Sequence, residues 1–166
     1  IFGGEASDDQ INLRFGNRID QTTVASGAGN DVIKVALSGD SSFDKSFIDA
    51  GAGNDTLIIT ADANLDNTDT YAGGDGTDTV RFTAAIADDA ATFSKFSGFE
   101  TFSFVGAAGN ITDTFTMSNF TNNDFTTIHV GNSGTGTIIH NNAPASVTTL
   151  GIGATTGAAT ATAAAA

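Results

Sequence analysis

The phrase Gly27-Ala28-Gly29-Asn30-Asp31 is the first of three similar copies, and the others read Gly51-Ala52-Gly53-Asn54-Asp55 and Gly74-Asp75-Gly76-Thr77-Asp78. A strand-like run that alternates in polarity follows each copy, at residues 32–35, 56–59 and 79–82. The closing aspartates recur at intervals of 24 and 23 residues. A repeat of that length is typical of stacked architectures, in which each unit buries its apolar face against its neighbours.

The residue types in this phrase suit a hard cation. Glycine adopts positive φ and lets neighbouring backbones approach closely, and a tight glycine turn directs several carbonyl oxygens to one side. The aspartate adds an anionic oxygen at the end of the turn. Calcium takes roughly six to eight oxygen ligands, many of them backbone carbonyls. One loop supplies only part of that shell, so we expect two loops in neighbouring turns to share an ion.

The third copy, with the glycine before it, matches a known repeat residue for residue. Residues 73–81 read Gly-Gly-Asp-Gly-Thr-Asp-Thr-Val-Arg, which resembles the RTX nonapeptide Gly-Gly-x-Gly-x-Asp-x-apolar-x. The other two copies differ only in beginning with Ser26 and Ala50. The chain is similar to RTX-type calcium-binding repeat proteins. Its wide spacing resembles bacterial S-layer and large surface adhesin proteins more than toxins, in which nonapeptides follow one another directly.

This resemblance implies a set of Ca²⁺ ligands. The first, third and sixth residues of one nonapeptide would face the second, fourth and sixth of the next. One ion would take the carbonyls of Ser26, Ala28, Gly51 and Gly53, and the next those of Ala50, Ala52, Gly74 and Gly76. Carboxylates would come from Asp31, Asp55 and Asp78, with Asp55 serving both ions.

The alternative interpretation is that these acidic glycine turns merely connect strands and need no ion. Electrostatics favours a bound cation instead. Carboxylates stacked one strand spacing apart, about 4.8 Å, repel each other unless a counter-charge lies between them. Asp9 and Glu100 are candidates to extend the row at its two ends. Glu100 belongs to a variant corner, Ser97-Gly98-Phe99-Glu100.

Apolar columns at fixed distances from the loop acids predict the fold. With Asp9, Asp31, Asp55, Asp78, Glu100, Asp124 and Ser146 as origins, the column two residues later reads Ile11, Ile33, Leu57, Val80, Phe102, Thr126, Thr148. The column seven residues earlier reads Phe2, Val24, Ile48, Tyr71, Phe93, Met117, Ile139. Alternation after each origin indicates a strand with one buried face.

These columns predict an all-β protein, a parallel β-solenoid of about seven turns of 22–24 residues. It is expected to span residues 1–153, followed by an Ala/Thr-rich tail or linker at 154–166. Short helical turns are predicted at 61–64 and 88–91. Phe15, Leu37 and Ile111 are further expected core residues. Because residue 1 falls inside a repeat, we expect the chain to be a fragment of a longer protein.

Composition narrows the range of partners. The net charge is −13, from 19 acidic and 6 basic side chains, which disfavours nucleic acid and anionic membranes and favours cations. A merely solvated acidic surface is the plainer alternative. The chain has no cysteine, so metal between turns is a candidate replacement for disulfides. No run of about 18 apolar residues predicts a membrane span.

Catalytic signatures are weak. His129 and His140, the only histidines, are expected at the surface rather than as zinc or catalytic groups. No Gly-x-Ser-x-Gly elbow places a nucleophile. A β-helix polysaccharide lyase would need a basic residue near the metal, for which Lys34 and Arg81 are the candidates. Nothing in the sequence converges on such a site, and we expect no enzymatic activity.

Three functions are compatible with these features. The first is a structural segment of an extracellular, bacterial cell-surface protein, either an S-layer or an adhesin stalk. It would become rigid on binding calcium and associate with itself into a lattice, filament or longer solenoid. The second is a calcium-dependent secretion module of a larger exported protein. The third is a β-helix polysaccharide-active enzyme.

Overall fold

The computed structural model describes residues 3, 6–14, 19–36, 43–61, 65–106, 113–131, 138–152 and 159–163. These residues form a parallel β-solenoid, as predicted, with one short α-helix, α1 (Ala90–Phe93), and a 3₁₀ turn at Met117–Asn119. No helix among them is long and apolar enough to cross a membrane. The strands, in chain order, are β1 (Gln10–Leu13), β2 (Ile19–Asp20), β3 (Thr23–Ala25), β4 (Val32–Val35), β5 (Phe43–Asp44), β6 (Phe47–Asp49), β7 (Thr56–Ile59), β8 (Thr70–Ala72), β9 (Thr79–Phe82), β10 (Phe96–Ser97), β11 (Thr101–Phe104), β12 (Asp113–Thr116), β13 (Thr127–Val130), β14 (Ile138–Ala143), β15 (Thr149–Ile152) and β16 (Ala159–Ala163).

The principal sheet contains seven parallel strands in the order β1-β4-β7-β9-β11-β13-β15. Across the core from it, β3, β6, β8 and β10 form a second sheet. A single bridge between Ser97 and Asn122 extends this second sheet by one rung. About five turns are therefore closed on both sides, and only the principal sheet reaches the predicted seven. The strands β12, β14 and β16 form a third sheet, and β2 pairs with β5.

The register of the principal sheet follows the predicted column for five turns and then departs from it. Ile11, Ile33, Leu57, Val80 and Phe102 lie one above the other. The next two members are Ile128 and Leu150, so the origins at Asp124 and Ser146 were wrong by two residues. The corner before β13 is longer than predicted because Phe125 is buried within it, at 1 % exposure, while Asp124 is exposed.

The column of the second sheet also needs a correction. Val24, Ile48 and Tyr71 are in register as predicted, but the next member is Phe96 rather than Phe93. Phe93 belongs to α1, which Asp89 caps by accepting hydrogen bonds from the N–H groups of residues 91 and 92. A helical turn was predicted at 88–91, and the observed helix lies two residues later than those bounds. Residues 62–64 of the other predicted helical turn lie outside the described residues.

The core changes character along the solenoid. Its first turns bury aliphatic side chains, and its later turns bury aromatic ones: Tyr71, Phe82, Phe93, Phe96, Phe99, Phe102, Phe104, Phe115, Phe120 and Phe125. The expected core residues Phe2, Phe15, Leu37 and Ile111 lie outside the described residues. In the stretch predicted to be a tail, β16 pairs in parallel with β14, so pairing continues past residue 153.

Candidate metal centre

A row of acidic side chains runs along one edge of the solenoid, just before the strands of the principal sheet. Each carboxylate accepts a hydrogen bond from the backbone N–H of the acid in the preceding turn. Asp31 Oδ1 accepts from Asp9 N at 2.8 Å, Asp55 Oδ1 from Asp31 N at 2.7 Å, and Asp78 Oδ1 from Asp55 N at 2.8 Å. Glu100 continues the row, since its Oε2 accepts from Asp78 N at 2.7 Å.

The three aspartates of the predicted site are removed from solvent. Asp31 and Asp55 are 1 % exposed and Asp78 is 0 % exposed. In each, the second carboxylate oxygen, Oδ2, is buried and has no hydrogen-bond partner. Burying an unpaired polar group costs about 1–3 kcal/mol, and more for a charged one. The row thus contains three fully buried carboxylate oxygens to which the protein donates no hydrogen bond.

The ionisation of the row reflects this environment. Burial raises the pKa of Asp78 to about 6; the charges of Asp55 and Glu100 add to the effect, and the hydrogen bond from Asp55 N opposes it. Burial also raises the pKa of Asp55, and the neighbouring Asp31 charge contributes in the same direction. The buried row favours either protons or a bound cation on these oxygens.

Glycine is required in the corners for two reasons. Gly51 and Gly53 have φ of 96° and 134°, and Gly74 and Gly76 have 112° and 145°. A Cβ on Gly53 would also overlap the carbonyl oxygen of Gly29 one turn away. The corners therefore stack backbone on backbone, and Ala28, Ala52 and Asp75 form parallel bridges between turns.

The predicted carbonyl ligands lie in these stacked corners. Three of the eight already accept hydrogen bonds from neighbouring turns: Gly51 O from Asp75 N, Ala52 O from Gly29 N, and Ala50 O from Ser26 Oγ. A carbonyl oxygen has two lone pairs, so these bonds leave each one able to contact an ion. The eight span a wide range of exposure, from buried Ser26 to exposed Gly76.

Side chains alone do not complete a coordination shell. No group of three or more His, Cys, Asp or Glu with the geometry to hold a metal occurs among the described residues. The row brings two carboxylates to each gap between turns, so backbone carbonyls would have to supply the remaining ligands of any ion bound there. An all-oxygen set of this kind fits calcium, which accepts many carbonyls and irregular geometry.

A second, outer row of side chains fixes the same corners and was not predicted. Asp8 Oδ1 accepts from Asn30 N at 2.6 Å, and Asn30 Oδ1 accepts from Asn54 N at 2.8 Å. Asn54 Oδ1 then accepts from Thr77 N at 2.9 Å. These bonds run opposite to those of the acid row, so the two rows together hold each corner in register from both sides. The recurrence of Asn one residue before Asp is the signal in the sequence.

The remaining candidates do not gather around the acid row. Lys34 and Arg81 lie at the same outward position of the principal sheet, with Ile58 between them. His129 also lies at that position and is half-buried, with its Nδ1 3.5 Å from Ser103 Oγ. The prediction of a surface position for His140 was wrong, since this side chain is 0 % exposed.

Comparison with protein-family models, curated proteins and solved structures gives no match. The functional argument therefore rests on the geometry of the acid row and on the motif that specifies it.

Proposed function

We propose that this chain is a structural segment of a bacterial cell-surface protein that becomes rigid when calcium binds between its glycine-rich corners. The observation that carries the proposal is the set of three fully buried Oδ2 atoms, of Asp31, Asp55 and Asp78, that have no partner. The motif around each aspartate resembles the RTX nonapeptide, and its wide spacing resembles S-layer and adhesin proteins.

The residues that would hold the ions are those of two neighbouring gaps. Asp31 and Asp55 border the first gap, with carbonyls from residues 26, 28, 51 and 53. Asp55 and Asp78 border the second, with carbonyls from residues 50, 52, 74 and 76. Calcium would supply positive charge to buried oxygens that otherwise repel one another. Magnesium is a poorer fit because it demands near-octahedral geometry and retains several waters.

The carboxylates couple this binding to folding. Each Oδ1 holds the backbone of the preceding turn, so fixing the carboxylate also fixes the position of that corner. Binding energy at a site that forms only in the folded chain becomes folding energy. The protein would be flexible at low calcium and stiff in a calcium-rich medium outside the cell.

Self-association is the second part of the proposal. A solenoid has two open ends, where strand edges can pair with another chain. Leu150, in the last strand of the principal sheet, is 46 % exposed, although its column is buried from Ile33 to Ile128. End-to-end stacking would cover such a side chain and lengthen the rod.

Circular dichroism during a calcium titration, with light scattering recorded in parallel, tests both parts. We expect calcium to increase the β signal, magnesium at the same concentration to have a much smaller effect, and chelator to reverse the change. Scattering should grow with the β signal if the chains assemble. A gain in β signal without scattering would favour the secretion module instead. A full β signal in chelator that calcium leaves unchanged would refute the proposed role of the metal.

A further inference from the structure

The corner that contains Glu100 is built differently from the three glycine-rich corners. Gly98 takes the place of the first corner residue: Gly73 N donates to Ser97 O, and Gly98 N donates to Asn122 O one turn later. One residue lies between Gly98 and Glu100, whereas four lie between Gly73 and Asp78. The side chain of Phe99, fully buried, lies within this shortened corner.

Glu100 nevertheless reaches the acid row. Its Oε2 accepts a hydrogen bond from Asp78 N at 2.7 Å. Asp78 Oδ1 accepts the equivalent bond from Asp55 N, one turn earlier, at 2.8 Å. The additional methylene of glutamate compensates for the shorter corner. The gap between Asp78 and Glu100 is therefore bordered by two carboxylates, as are the two gaps before it.

Two further features point to a ligand in this gap. Asp78 Oδ2 is buried and has no hydrogen-bond partner. It lies 2.9 Å from the point where a Cβ on Gly73 would stand, and the carbonyl oxygen of Gly98 borders the same point. A Cβ on Gly73 would overlap the carbonyl oxygen of Gly98, so glycine at this position lets oxygens from two different turns approach each other beside the gap.

We propose that a third calcium ion binds between Asp78 and Glu100, at a corner that does not carry the glycine motif. Its ligands would include the carboxylates of Asp78 and Glu100 and the carbonyl of Gly98. This inference rests on the proposed function, because it assumes that the acid row binds calcium. It adds a site that the nonapeptide pattern does not mark.

Asn123 marks the end of the metal-binding row. In the following turn its Oδ1 accepts from Phe99 N at 3.0 Å, and its Nδ2 donates to Phe96 O at 2.9 Å. Both polar atoms of this neutral side chain have partners within the protein. No buried anionic oxygen is left for an ion, so the third site is the last in this direction.

The test is a count of bound calcium by isothermal titration calorimetry, with calcium content by atomic absorption as a second measure. The wild type is compared with Glu100→Gln and with Asp124→Asn, which removes one acidic charge at an exposed position outside the row. We expect Glu100→Gln to bind one ion fewer than the wild type and Asp124→Asn to bind the same number. Equal counts for the wild type and Glu100→Gln would overturn the third site while leaving the other two in place. No binding by the wild type would overturn the proposed function as well.

A second variant keeps the test valid should Glu100→Gln not fold in calcium, as judged by circular dichroism. Glu100→Asp retains the charge but shortens the side chain by the methylene that brings it to the row. We expect this variant to fold and to lose the same single ion. Full calcium binding by Glu100→Asp would show that reach into the gap is irrelevant, which contradicts the site.

Discussion

The turns that lead to the acidic glycine corners at Asp31 and Asp55 have aliphatic cores, whereas the core from Tyr71 onwards, just before the corner at Asp78, encloses a cluster of aromatic rings. Val24, Ile33, Ile48 and Leu57 fill the first region. In the second, the ring of Phe82 lies 5.4 to 6.4 Å from five other phenylalanine rings. The two regions share one backbone architecture but draw on different sources of stability.

Side-chain size and buried acidic groups both separate the two regions. An aromatic side chain buries roughly 150–250 Å², which at about 25 cal/mol per Å² gives each ring several kcal/mol of hydrophobic stabilisation. The acidic region has smaller apolar groups and three unpartnered carboxylate oxygens. In the aromatic region Asn123 has both polar atoms bonded, and the unpartnered ring nitrogens of His140 belong to a side chain that burial keeps neutral at pH 7. We therefore expect the aromatic region to fold without metal and the acidic region to depend on it.

Removal of calcium should open the two regions unequally, and this is the largest expected effect. At a free concentration of 100 Kd, one site stabilises the folded state by about 2.7 kcal/mol, and the acidic region contains two predicted sites. Hydrogen exchange followed by mass spectrometry, with calcium and with chelator, is the measurement. Protection should fall in β4 and β7 and persist in β11 and β13. Equal loss of protection in both pairs of strands would break the distinction.

Truncation of a core residue in each region should lower stability in both, and calcium should restore the lost stability in only one of them. Phe115→Ala is expected to lower the free energy of unfolding by about 3–5 kcal/mol, and Leu57→Ala by about 2–5 kcal/mol. Urea unfolding with and without calcium separates them. Calcium should offset the loss in Leu57→Ala, whose strand β7 follows a predicted metal corner, and leave that in Phe115→Ala, whose strand β12 follows none, largely uncorrected. Equal rescue of both variants would mean that the aromatic cluster also depends on metal.

Neutralising the central aspartate, Asp55, should raise stability in chelator and lower it in calcium. In chelator, Asp55→Asn is expected to stabilise the fold by about 1–3 kcal/mol, because an amide carries no buried charge. In calcium, the same variant should be less stable than the wild type, since Asp55 borders both predicted sites. The midpoint of thermal unfolding in the two conditions measures this. Asp124→Asn is the control, and as an exposed substitution it should change stability by no more than about 0.5 kcal/mol in either condition. Loss of stability by Asp55→Asn in chelator would show that the buried charge of Asp55 does not destabilise the metal-free fold.

Most of the fold was predictable because parallel stacking repeats the same short pattern. The glycine corners, the acid row and the column from Ile11 to Phe102 all follow from spacing alone. The register after Phe102 did not, for a physical reason. Side chains alternate with a period of two, so a shift of two residues keeps Ile128 and Val130 facing inward in either register. Only the burial of Phe125 in the corner decides between them.

A shift of one residue moves every side chain to the other face of the strand, and this is what happens at His140. Ile139 was expected to face the core, but the pairing of β12 with β14 places His140 beside buried Phe115 instead. The following residues, Asn141 and Asn142, provide no apolar alternation from which the inward face could be read. The sequence therefore contained no signal that this histidine is buried.

His140 supplies the smallest expected effect and a test confined to the aromatic region. Its ring packs 5.0 Å from Phe102 and 5.7 Å from Phe115, and neither ring nitrogen has a hydrogen-bond partner. Burial lowers the pKa of His140 from 6.5 to about 4. The unfolded chain then binds the proton more tightly than the folded one, so stability is full above pH 6.5 and falls as pH drops towards 4.

Between pH 7.5 and 5 this histidine should cost the wild type about 2 kcal/mol of unfolding free energy. His140→Leu removes the titrating group and two unpartnered nitrogens. Between the two pH values the unfolding free energy of this variant should therefore fall by about 2 kcal/mol less than that of the wild type. Urea unfolding at the two pH values measures the difference, with His129→Gln as the comparison variant at the half-buried histidine. Buried acids such as Asp69, whose pKa burial raises to about 6, act in the opposite direction. They do so equally in all three proteins, so the comparison isolates His140. An unchanged pH dependence in His140→Leu would mean that the ring is hydrated, and that the aromatic cluster is less tightly closed than its ring distances indicate.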